Sequence, residues 1–259
     1  MKAIYKPQGR AAEYAPLAVN LYTGCGHGCT YCWAPQVLRM EPAKFFGAPK
    51  PRADILVQLE RDAQRLQGSP HPVLLCFACD PYQPCEDRHR LTRSALEVLL
   101  EHGLAVSILS KGGLRAARDL DLLAASPQPH AFGASLTALS PELSSQWEPL
   151  AAPPAERLAA LRQAFELGLS TWASLEPVLD PEETLAIIEA SHSFVRHFKL
   201  GKLNYHAKAK EIDWRAYRRR VKGLLLDLGF WPNERQGDFT PGSYFIKHDL
   251  GRWVWSGMS

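Results

Sequence analysis

Cysteine is scarce in this sequence and methionine scarcer: six and three residues in a chain of 259. Six cysteines are too few for a disulfide scaffold of this size. No apolar run approaches the ~18 residues of a membrane span; the longest, from Val73 to Cys79, has the length of a strand. The opening MKAIYKPQGRAAEYAP has no apolar core of the secretory type, so no signal peptide is expected. The thiols then read as reduced, in a cytoplasmic protein, and free for metal or redox work. No internal repeat and no low-complexity tract interrupts the chain. A net charge of +3 says nothing about partners, while 46% hydrophobic and 22% charged residues exclude disorder, collagen and coiled coil for the bulk of it.

What is present is a regular alternation. Residues 17–22 (LAVNLY), 71–78 (HPVLLCFA), 104–110, 131–136, 169–175 and 197–203 read as strands. Residues 54–67, 92–102, 114–125, 153–167, 181–196 and 212–228 read as helices between or after them. Asp54 and Asp180 are the expected caps, and Gly103, Gly168 and Gly229 the stops. Six strand–helix units at about 30-residue spacing imply parallel strands with right-handed crossovers. Six is fewer than the eight of a closed barrel, so the expected fold is α/β, a partial (β/α)6 barrel over residues 17–229. Residues 1–16 form an N-terminal extension. Residues 230–259 are a short tryptophan-rich C-terminal extension, read as a β-hairpin packed on the barrel. The punctuated loops 23–35, 79–86, 110–113 and 176–180 all follow strands and so share one end of the sheet.

The first of these loops carries Cys25, Cys29 and Cys32, spaced C-x3-C-x2-C among Gly24, Gly26 and Gly28. Three thiolates on one tight loop suit three irons of a [4Fe–4S] cube, leaving the fourth iron open to a non-protein ligand. The competing readings are a set of free thiols and a zinc site with His27 as the fourth ligand, but zinc prefers paired C-x2-C knuckles.

The segment GCGHGCTYCW, with Tyr31 just before the last cysteine, resembles the signature of the radical S-adenosylmethionine (SAM) superfamily. The stretches NLYTGCGHGCTYCWAP, CDPYQPCE, LTRSALEVLLEHGLAVSILSKGG, GASLTALSPEL, SLEPVLDPEETL and FKLGKLNYH resemble the branch that contains spore photoproduct lyase. The resemblance spans roughly residues 17–206 and implies a partial barrel of the radical SAM type. It also implies a [4Fe–4S] cluster on Cys25, Cys29 and Cys32, and SAM chelated to the open iron. An electron, from a donor such as flavodoxin or ferredoxin, then splits SAM to a 5′-deoxyadenosyl radical. By position it implies SAM contacts for Tyr31, Asp80, Lys111, Ser135 and Glu176, although Glu176 equally suits an ion pair with Lys199 or Lys202.

Cys76, Cys79 and Cys85 form a second group. The resemblance implies a hydrogen-atom donor at the end of the second strand, with Cys76 and Cys79 as candidates, although alignment on Asp80 puts Phe77 at that position. An auxiliary cluster and plain core thiols are the other readings. Residues 205–222 hold seven basic side chains against two acidic ones, with Trp214 and Tyr217 interleaved and Trp231, Trp253 and Trp255 following. Lys208, Lys210, Arg215, Arg218, Arg219 and Lys222 are therefore candidate nucleic-acid contacts, against the alternative of a solvated helix face. The function expected is a radical SAM lyase or isomerase acting on a damaged or modified pyrimidine of DNA. The alternatives are the same chemistry on a protein or small molecule, or a non-catalytic iron–sulfur module.

Overall fold

Each apolar run of the sequence becomes a strand buried on both faces in the computed structural model, which describes residues 2–204, 206–235 and 239–251. The strands are β1 (Ile4–Tyr5), β2 (Leu17–Val19), β3 (Tyr22–Thr23), β4 (Lys50–Pro51), β5 (Val73–Leu75), β6 (Val106–Ser110), β7 (Ala131–Ser135), β8 (Ser170–Val178), β9 (His197–Lys202), β10 (Trp231–Pro232) and β11 (Ser243–Ile246). The α-helices are α1 (Ala34–Val37), α2 (Pro42–Gly47), α3 (Ile55–Leu66), α4 (Glu86–His89), α5 (Leu91–Glu101), α6 (Leu114–Ala117), α7 (Leu120–Ala125), α8 (Pro141–Trp147), α9 (Pro154–Glu166), α10 (Pro181–Ser191), α11 (Trp214–Asp227) and α12 (His248–Gly251).

The main sheet runs β1-β2-β5-β6-β7-β8-β9-β11-β10. From β2 to β9 it contains the six parallel strands expected. It does not close: β1 forms one edge and β10 the other. Side chains alternate between two cores, as pleating requires. Leu17, Val19, Val73, Leu75, Val106, Ile108, Phe132, Ala134, Phe198 and Leu200 face the surrounding helices. Ala18, Leu74, Ala131 and Trp172 fill the concave side with Tyr14 and Phe239. Gly133 belongs to that inner layer because a Cβ there would lie 2.3 Å from the Trp172 ring. Among the described residues, no helix is long and apolar enough to cross a membrane.

Several expectations need correction. The N-terminal extension, for which no strand was expected, contains β1, which pairs antiparallel with β2. The helix expected over 114–125 breaks into α6 and α7, because Asp119 turns inward to meet Arg118 and Arg93. Asp54 sits in the left-handed region at φ 52° with no capping hydrogen bond, whereas Asp180 does cap, accepting from the Glu182 amide. The tail is not a hairpin: β10 and β11 run parallel to each other and to β9, and extend the main sheet. Trp253 and Trp255 lie outside the described residues.

Candidate functional site

The loops that follow the strands meet at one end of the sheet, and the cysteine loop is the most firmly held. The Cys25 amide donates to the Phe45 carbonyl at 3.0 Å, the Thr30 amide to Trp147 at 2.9 Å, and the Leu150 amide to His27 at 3.1 Å. Gly24 makes the first of these approaches possible. Its φ is +85°, and a Cβ would stand 2.5 Å from the Phe45 oxygen. His27 turns one ring nitrogen to the Leu150 carbonyl at 3.2 Å and the other to Asp80 at 3.1 Å. His27 thus sits between the Leu150 carbonyl and the Asp80 carboxylate, as part of the loop's fastening.

Asp80 fastens three strand ends at once. Its carboxylate accepts from the amides of Tyr82 (2.8 Å) and Lys111 (2.6 Å) and from the Ser110 hydroxyl (2.8 Å), and it faces His27. Burial opposes its ionisation, but His27 and the two amides prevail and hold the carboxyl down at about 2. Asp80 therefore lies at the expected end of the sheet as a brace between loops.

Beside the cysteine loop is a buried charge network that the sequence did not disclose. Glu148, at the end of α8, pairs with Arg157 of α9 at 2.5 Å and lies 3.9 Å from the Lys111 ammonium. It also accepts the Tyr31 hydroxyl proton in a short hydrogen bond. Lys111 lies 5.8 Å from the Tyr31 ring centre. Arg157 further donates to the carbonyls of Ala152 (2.7 Å) and Ser135 (3.1 Å), which ties α9 to β7. Three of the expected SAM contacts, Tyr31, Lys111 and Ser135, are thus brought together through Glu148 and Arg157. The only sequence signal for this pair was an acid and an arginine flanking a proline-rich turn.

The residues fit a cluster and SAM. Cys25, Cys29 and Cys32 are free thiols. Among the described residues, no three His, Cys, Asp or Glu side chains converge on a single metal ion. A cube binds each thiolate at a different iron, so three thiols on one loop can hold it. Burial pushes the Cys29 thiol up to about 12, while Lys111 opposes it and favours the thiolate a cluster requires. Arg157 is fully buried, yet its Nη2 has no hydrogen-bond partner. A buried guanidinium edge without a partner fits an anionic group such as the SAM carboxylate.

The remaining candidates fall elsewhere. Glu176 lies across the mouth, bound by Lys247 at 2.8 and 3.0 Å and not by Lys199 or Lys202. Cys76 and Cys79 are buried in the same apolar cluster that Cys25 and Tyr31 pack against, whereas Phe77 between them packs on the concave cluster. On the basic helix, Trp214 and Tyr217 are buried at 5% and 2% exposure. With Val221 and Leu225 they form the core stripe of α11, so the expected stacking aromatics are unavailable to bases. Lys210, Arg215 and Arg219 are exposed, while Arg218, Lys222 and Lys208 are half-buried, with Lys208 5.7 Å from the Trp147 ring centre.

Comparison with known proteins gives the family. Residues 19–195 match the radical SAM superfamily. An uncharacterised protein of Mycobacterium tuberculosis is 32% identical over 183 residues, 68% of this chain and 54% of that protein. The chain thus spans about half the length of its mycobacterial relatives. An uncharacterised protein of Methanocaldococcus jannaschii is 25% identical over 194 residues, 74% of this chain and 72% of that one. Among solved structures, Streptococcus suis SuiB bound to S-adenosylmethionine superposes with a TM-score of 0.66 at 12% identity, over 93% of this chain and 53% of SuiB. A spore photoproduct lyase variant with bound AdoMet and dinucleoside spore photoproduct does so at 0.62 and 16%, over 89% of this chain and 76% of the lyase. The chain belongs to the radical SAM superfamily of enzymes, and its cofactors are a [4Fe–4S] cluster and S-adenosylmethionine.

Proposed function

We propose that this enzyme acts on a damaged or modified pyrimidine of DNA, breaking or rearranging a bond in the manner of a lyase or isomerase. When bound, the cluster and SAM supply a radical able to remove a hydrogen atom from an unactivated carbon. The electron comes from a small carrier such as flavodoxin or ferredoxin. Cys25, Cys29 and Cys32 would hold the cluster, Lys111 and Arg157 would take the SAM carboxylate, and Tyr31 would contact the adenine. The observation that carries the reading is the division of the barrel mouth. One half, around Lys111, Glu148 and Arg157, suits a charged cofactor. The other, around the half-buried Phe77 and Glu176, would face the substrate. The stretches resembling the photoproduct lyase branch, and the dinucleoside bound by a structural relative, support a pyrimidine as that substrate.

The burial of Trp214 and Tyr217 favours a second reading, the same chemistry on a protein or small molecule. Anaerobic incubation of the reconstituted protein with dithionite, SAM and irradiated or base-modified DNA tests both. Mass spectrometry should find 5′-deoxyadenosine together with an altered nucleoside, and neither should form with Cys29→Ala. If 5′-deoxyadenosine forms at one rate with or without DNA and no nucleoside changes, DNA is not the substrate. If SAM is not cleaved at all, the non-catalytic alternative holds.

A further inference from the structure

An aromatic ladder runs inward from the mouth of the barrel. Trp33 follows the last cluster cysteine and is 39% exposed. Its ring lies 5.3 Å from Phe77, tilted by 39°. Phe77 meets Tyr14 edge-on at 5.4 Å, and Tyr14 lies 6.2 Å from Trp172. Exposure falls along the series: Phe77 is half-buried, and Tyr14 and Trp172 are covered. A tryptophan serving only as core filling would be covered too; Trp33 and the half-buried Phe77 instead leave apolar ring surface accessible beside the cysteine loop.

The inner end of the ladder is polar but closed on itself. The Tyr14 hydroxyl lies 3.0 Å from Ser174 Oγ and donates to Glu176 in a short hydrogen bond. Lys247 holds Glu176 and reaches Glu13 at 3.4 Å, while His248 meets Glu13 at 2.6 Å. Lys199 lies 4.3 Å from the Tyr14 ring centre and donates to the Glu13 carbonyl. Both carboxylates already have cationic partners. Glu176, with 19% of its side chain exposed, is the member a ligand can reach, and Lys247 compensates its charge. Apolar ring faces beside a neutralised polar wall match a flat, uncharged heterocycle with N–H and C=O groups on its edge. They do not match a phosphate, a carboxylate or a cationic side chain.

We infer that Trp33 and Phe77 are the stacking platform for the substrate's ring, with the Tyr14–Glu176–Lys247 network reading the polar edge of that ring. Its identity as a nucleobase rests on the function proposed above; the platform itself does not. The test is calorimetric titration of the reconstituted, SAM-loaded protein with thymidine, with a thymidine dinucleotide, and with inorganic phosphate as the charged control. Truncating a stacking ring costs roughly 1–3 kcal/mol per base, so Trp33→Ala should weaken the dinucleotide by roughly 5- to 150-fold. Trp33→Phe should retain most of the affinity. Because Trp33 adjoins Cys32, iron content and SAM affinity are measured in each variant. Phe77→Leu, remote in sequence from the cysteines, repeats the test should Trp33→Ala lose iron.

The inference fails if the wild-type protein binds neither thymidine nor the dinucleotide, or if phosphate binds as tightly as the dinucleotide. It also fails if the iron-loaded variants bind the dinucleotide within twofold of wild type. Altered nucleosides from DNA with ring affinity unchanged in the variants would sink the platform and leave the proposed function standing. Trp33-dependent ring binding with no altered nucleoside would do the reverse.

Discussion

Removing the Arg157 guanidinium should be among the most damaging single changes outside the cluster loop. Arg157 and Glu148 have 1% and 0% of their side chains exposed and meet at 2.5 Å. In Arg157→Met, Glu148 keeps only the Tyr31 hydroxyl and an ammonium 3.9 Å away. The carbonyls of Ala152 and Ser135 lose their donors as well. Breaking a buried pair from one side costs about 3–5 kcal/mol. At roughly 2–4 °C per kcal/mol for a chain of this size, Tm should fall by ~6–20 °C. Glu148→Gln alone should also destabilise, because two buried cations then face a neutral amide. The double variant Glu148→Gln/Arg157→Met should cost less than the sum of the singles by ~0.5–3 kcal/mol, the coupling expected of touching residues. Anaerobic thermal unfolding by circular dichroism, on iron-free and iron-loaded protein, measures all four corners of the cycle. A Tm loss under about 3 °C, or additivity of the singles, would refute the view that this pair is a buried anchor.

Two further outcomes follow from particular side chains. Burial, with the charge of Lys247 adding to it, pulls the Lys199 ammonium down to about 7. The folded chain therefore binds fewer protons than the unfolded one between about pH 7 and 10, and this group makes stability rise with pH across that window, by at most about 5 kcal/mol. Lys199→Met should abolish that rise in denaturant titrations, and an unchanged pH slope would show that Lys199 is not the group responsible. On α11, Arg215 and Arg219 are exposed while Arg220 is engaged with Glu182 at 2.7 Å. If the exposed pair touches single-stranded DNA, Arg215→Ala/Arg219→Ala should flatten log K against log salt by about 0.7 for each phosphate the arginines had neutralised. An unchanged slope assigns both to an ordinary solvated face.

The architecture was legible because hydrophobic periodicity is a local signal. The six parallel strands follow from short apolar runs, and α9 from Pro154 at its start and Gly168 just beyond its end. What escaped was either too short or too distant in sequence. β1 is two residues long, and α8 is seven residues opened by Ser140 and Pro141. The parallel course of β10 and β11 depends on pairing with β9, some 45 residues earlier in the chain, which no local pattern encodes. The cluster cysteines were readable because all three occupy one loop. Glu148 and Arg157 were not, since their roles arise from their meeting Tyr31, Lys111 and Ser135 of other segments. Trp214, Tyr217, Val221 and Leu225 show the opposite failing. Their spacing already described a buried stripe, and composition drew attention to the charges instead.

The fastening of the cysteine loop bears on the order in which the holoenzyme is made. In a small zinc domain the metal is the fold, and chelation unravels it. Here the loop is held by Phe45, Trp147, Leu150 and, through His27, by Asp80, all of them protein groups. The chain can therefore complete its folding first and present three thiols in a finished cradle to whatever delivers iron and sulfide. Oxidative loss of the cluster should leave that cradle standing, so that repair becomes a matter of refilling it rather than refolding the chain.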